Sequence, residues 1–61
     1  MTQEQYTKRR ASILHGVAGA IKSHCPRTAR ARLRDLAKLE NEFNGVDYVV
    51  AYHKQLEEYD L

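Results

Sequence analysis

The chain has no tryptophan, and cysteine, proline, methionine and phenylalanine occur once each. The single Cys25 excludes an internal disulfide, and with it the bridged scaffold that small secreted domains rely on. A lone thiol suits a reducing cytosol. No apolar run approaches the roughly 20 residues that span a bilayer. The stretch Met1 to Arg10 is polar and lacks the apolar core of a signal peptide. These features predict a cytoplasmic protein with no membrane partner.

Chemistry-bearing constellations are also scarce. His24 and Cys25, taken with His15 and His53, are the only soft metal ligands. No C-x-x-C or H-x-x-x-H spacing joins them. There is no phosphate-cradling glycine loop and no nucleophile–base arrangement. The expectation is a non-enzyme with no catalytic residue, metal or cofactor.

What is present is helical patterning. Thr2 and Gln5 form a T-x-x-Q capping box. Beyond it Tyr6, Arg10, Ile13, Leu14, Val17, Ala20, Ile21 and His24 share one face at about 100° per residue. This pattern predicts a first helix over 3–23. Ser12, Gly16, Gly19, Ala20 and Ser23 make a small-residue lane beside this face, either for close packing of another helix or, at the glycines, for a hinge. Pro26 cannot continue a helix, but it suits a first helical position. A second helix therefore runs over about 27–43, with Thr28 as an alternative cap. Its apolar stripe is Ala29, Leu33, Leu36, Leu39 and Phe43. Gly45 is suited to a left-handed stop, and Asn44 to capping the next segment.

The segment 46–59 is more ambiguous. Val46, Val49, Val50, His53 and Leu56 fit one helical face, with Tyr48, Tyr52 and Tyr59 as a second stripe beside it. The run from Val46 to Tyr52 is also rich in strand formers after Asn44-Gly45, a hairpin dipeptide. No second strand exists to pair with it, so a third helix is expected.

The four-residue connection folds helix two back on helix one. Facing positions then sum to about 50. Val17 meets Leu33, Leu14 meets Leu36, Ile21 meets Ala29, and Tyr6 meets the Phe43–Asn44 end. Arg10 falls opposite Glu40, each the charged residue in its own apolar arc. Either they pair, at a cost of about 3–5 kcal/mol for losing one partner if buried, or both snorkel to water. The fold class is thus all-α, one domain over residues 1–61, built on an antiparallel hairpin plus a third helix. A domain this small buries only about 60% of its unfolded surface. Valines and tyrosines that the hairpin leaves uncovered argue for a homodimer, a dimeric helical bundle.

Charge is unevenly spread. Residues 1–38 hold nine Lys and Arg against Glu4 and Asp35, while residues 39–61 hold Lys54 against six Asp and Glu. Arg27, Arg30, Arg34 and Lys38 line one edge of helix two, with Lys8, Arg9 and Lys22 on helix one. Such an edge is a solvated face, a nucleic-acid surface, or a seat for an acidic protein. Tyr48, Tyr52 and Tyr59 are either core and dimer residues or a protein-recognition surface. The function expected is a small regulatory or adaptor protein acting through protein–protein binding. The alternative is a DNA- or RNA-binding regulator.

The polar start Met1-Thr2-Gln3-Glu4-Gln5, the charged helical body and the acidic end Tyr59-Asp60-Leu61 resemble the small early proteins of lambdoid bacteriophages, of the exo–xis region type. The resemblance covers the whole chain and implies a role in shifting host or phage regulation through protein contacts, in the host cytoplasm. It assigns no functional residue.

Overall fold

Three helices account for nearly all of the chain in the computed structural model, which describes residues 1–61. Helix α1 spans Gln3–Lys22, α2 spans Pro26–Asn44 and α3 spans Tyr48–Glu58. There is no strand, and the fold is all-α. The strand-forming composition of 46–52 yields to helix because nothing is available to pair with it.

Local signals explain most of the boundaries. At the start of α1 the Thr2 hydroxyl accepts from the Gln5 N–H at 3.2 Å, and the Thr2 N–H donates to Gln5 Oε1 at 2.9 Å. Both halves of the capping box are therefore made. The helix stops before Pro26 is reached. His24 takes a left-handed conformation at φ 58. The Cys25 N–H then donates to the Ala20 carbonyl at 2.8 Å and the His24 N–H to that of Ile21 at 3.0 Å. This is a Schellman stop with histidine where glycine is usual. The same device ends α3. Asp60 sits at φ 56, and the Leu61 N–H returns to the Leu56 carbonyl at 2.9 Å.

Helix α2 starts at Pro26 with Cys25 as its cap residue and no side-chain cap, so Thr28 is not used. It ends at Gly45, left-handed at φ 68, whose N–H donates to the Asn41 carbonyl at 3.1 Å. Asp47, not Asn44, caps α3 by accepting from the Val50 N–H at 3.1 Å. Val46 therefore lies in the connection, and α3 begins two residues later than its apolar pattern suggests.

The core is small. Val17, Leu33, Leu36 and Leu39 form the buried cluster, with Ala20, Ala29, Ala37 and Ala51 buried around it. Val17 and Leu33 are wholly buried together, as the folded-back register requires. Ile21 departs from it and is 40% exposed, while Ala20 takes the seat in the last turn. The seam swings toward the small-residue lane there, where the chain tightens into its stop.

Helix α2 is the middle element. It packs against α1 and against α3, but no Cα of α1 lies within 8 Å of one in α3. The Cα extents of 33 × 22 × 14 Å describe an open, flattened arrangement and not a closed bundle. The small-residue lane is used in part for packing: Ala20 is buried in the seam and α2 covers Gly16, while Gly19 is open. The Arg32 stem covers Gly16, whose missing Cβ would lie 3.4 Å from Arg32 Nε, and nothing lies within 4 Å of the Cβ position at Gly19. Helix α1 runs unbroken through both glycines.

Candidate interaction surfaces

At the open end of the hairpin, Tyr6 stacks on Phe43 with ring centroids 4.4 Å apart. This fixes its hydroxyl beside Glu40, to which it donates a short hydrogen bond. Asn44 Nδ2 donates to the other Glu40 oxygen at 2.8 Å and to the Tyr6 hydroxyl oxygen at 3.3 Å. Arg10 Nε stands 3.9 Å from Glu40, with nearly half of its side chain exposed. Arg10 and Glu40 do face each other, but the closest partner of the carboxylate is a tyrosine. The hydrogen bond to Glu40 is the main cause of a raised Tyr6 pKa, with desolvation second; Asn44 and Arg10 act in the opposite sense. Charge alone could not signal this pair, although the register puts Tyr6 within a turn of Glu40.

Helix α3 turns its tyrosines toward the hairpin. Tyr52, Leu56, Tyr59 and Leu61 pack against the core cluster, and Tyr48 stacks on Tyr52 at 6.3 Å. The other face points outward. Val46, Val49 and Val50 are 36%, 56% and 60% exposed, with His53 exposed beside them. Both stripes have helical spacing, so spacing does not choose between them. Size does: an aromatic ring covers more of a seam poor in large side chains and keeps its hydroxyl at the wet rim. The small Ala51 lets α3 approach.

Arg27, Arg34 and Lys38 are exposed on α2 and Arg30 is half-buried. None of them is ion-paired; the two ion pairs of the fold are Lys8–Glu4 and Arg10–Glu40. Along the C-terminal part of α3, His53, Leu56, Glu57, Asp60 and Leu61 line one open hollow of about 370 Å³. No three His, Cys, Asp or Glu side chains converge as metal ligands. Cys25 is exposed at the turn. No helix is long and apolar enough to cross a membrane. No family model matches the chain, and no curated protein or solved structure matches it.

Proposed function

We propose that this protein is a small, non-enzymatic binding module, regulatory or adaptor in kind, acting by protein–protein contact through the outer face of α3. The observation that carries this reading is the outward pair Val49 and Val50, with Val46 beside them in the preceding connection, on a helix whose Tyr52 and Tyr59 are already committed to the hairpin. Exposed apolar side chains that are contiguous and rimmed by polar ones mark contact surfaces. The rim here is His53, Lys54 and Glu57, all exposed. A second copy is the first partner we propose, because the four-residue core cluster leaves a single chain marginal. The resemblance to phage early proteins supports a host or phage regulatory protein as the other, met in the cytoplasm.

Light scattering after size exclusion tests the first part. The mass should be that of a dimer, and Val49→Gln/Val50→Gln should give a folded monomer. A monomer at every concentration removes the homodimer. Affinity capture from nuclease-treated lysate tests the second part. A regulatory partner captured equally well by the double variant removes the α3 face.

A further inference from the structure

From Gln5 to Arg34 there is no Asp or Glu, while eight lysines and arginines fall in the same stretch. That stretch forms most of α1, the turn and the first half of α2, so the turn end of the hairpin carries charge of one sign. Part of this charge is engaged elsewhere. Lys8 pairs with Glu4, Arg10 faces Glu40, and the Arg32 stem lies over Gly16. Of the remaining five, Arg9 lies toward the open end of the hairpin, and Lys22, Arg27, Arg30 and Arg34 have no carboxylate partner.

The three arginines lie within an arc of about 60° on α2, stepped by about 4.5 and 6 Å along its axis. The first turn of α2 holds no acidic residue, so the positive end of the helix dipole adds to the same field. Lys38 continues the line, but Asp35 and Glu42 flank it one turn away on either side. The uncompensated part therefore ends at Arg34.

We infer that this turn end, Lys22 with Arg27, Arg30 and Arg34, binds the phosphate backbone of a nucleic acid. An acidic protein is the poorer match. The exposed uncharged side chains between the arginines are Thr28 and Ala31, and the only large apolar side chain exposed near the turn is Ile21. A protein interface needs an apolar centre, and little is available here. A phosphate backbone needs none, because the release of its condensed counterions drives binding. This surface is separate from the valines of α3, and its test does not depend on them.

Fluorescence anisotropy with labelled duplex DNA and single-stranded RNA, each about 20 nucleotides long, measures the interaction across a salt series. Three or four phosphate contacts predict an affinity for duplex DNA that falls about 40- to 150-fold between roughly 50 and 200 mM monovalent salt. Arg27→Ala/Arg30→Ala/Arg34→Ala should flatten the log–log salt slope to below about 1. Arg27→Gln/Arg34→Gln spares the half-buried Arg30 and should lower the slope by about 2, should the triple variant lose helicity. No binding of either probe at the lowest salt overturns the inference. So does an unchanged slope in a natively helical variant. Competition by polyglutamate as effective as by DNA at equal charge overturns it in favour of an acidic protein.

Discussion

Tyr6 donates its hydroxyl to the carboxylate of Glu40 across the open end of the hairpin, between residues 34 apart in the chain. Together with the stacking on Phe43, this joins α1 to α2 at the end farthest from their covalent turn. Without it, the first two turns of α1 have little to hold them, since Gln3 to Glu4 and Thr7 to Ser12 are exposed.

Tyr6→Phe keeps the stack and removes the donor. Glu40 is then left with Asn44 and a distant Arg10, its side chain only 16% exposed. A hydrogen bond to a charged group at a partly wet site is worth about 1–2 kcal/mol, and urea unfolding should show a loss of that size. Arg10→Ala should cost less than about 1 kcal/mol, because the pair is long and half-exposed. Equal losses from the two changes would put the arginine on a par with the tyrosine.

The raised pKa of Tyr6 makes the same contact visible to pH. Its folded-state value lies above the ordinary 10.0, so the unfolded chain releases the phenolic proton first as pH rises. Stability from this group is complete below pH 10 and falls as pH climbs through the higher folded value. Ultraviolet titration of tyrosinate should show a phase displaced above the ordinary range, absent in Tyr6→Phe. A difference between the two titrations that falls in the ordinary tyrosine range would dissociate the hydroxyl from Glu40.

Gly19→Ala should stabilise the fold by about 0.5–1 kcal/mol, because the added methyl meets open space and alanine is the better helix former. A thermal melt suffices to see it. A destabilised variant would mean that Gly19 lies against something, a second copy included.

His24→Gly and His24→Val should part in stability, with the valine variant the less stable of the two. The left-handed stop strains any residue with a Cβ, by about 1 kcal/mol for most and more for a β-branched one. Glycine removes the strain and returns part of the gain to the unfolded chain. Chemical unfolding should therefore find the glycine variant equal or up to about 1 kcal/mol better, and the valine variant worse. A valine variant as stable as the parent would speak against the left-handed stop.

The hairpin is legible in the sequence because two independent signals agree. Leu33, Leu36 and Leu39 recur at helical spacing on one side of Pro26, and Ile13, Leu14 and Val17 on the other, so folding about the turn sets a register with little freedom. Thr2 and Gln5 mark the start for the same reason, since their side chains act on backbone groups three residues away. The orientation of α3 is not legible: Val49 and Tyr52 are both apolar and both periodic, and only the shape of the seam chooses between them. The end of α1 is hidden by His24, a residue that enters the left-handed region more readily than most but announces a stop far less clearly than glycine does. Asn44 has the chemistry of a cap, but its side chain is occupied by Glu40 and Tyr6, which lie on the preceding turn and far away in the chain.

Helices α1 and α3 each pack on α2, and no Cα of one comes within 8 Å of a Cα of the other, so the backbones do not close into a ring. Opening of one outer helix is expected to disturb the other less than it would in a closed bundle. Amide hydrogen exchange should therefore be slowest at Leu33 to Leu39 and should report two separate openings in place of one. A partner that seizes α3 would find it able to leave the hairpin without unfolding it.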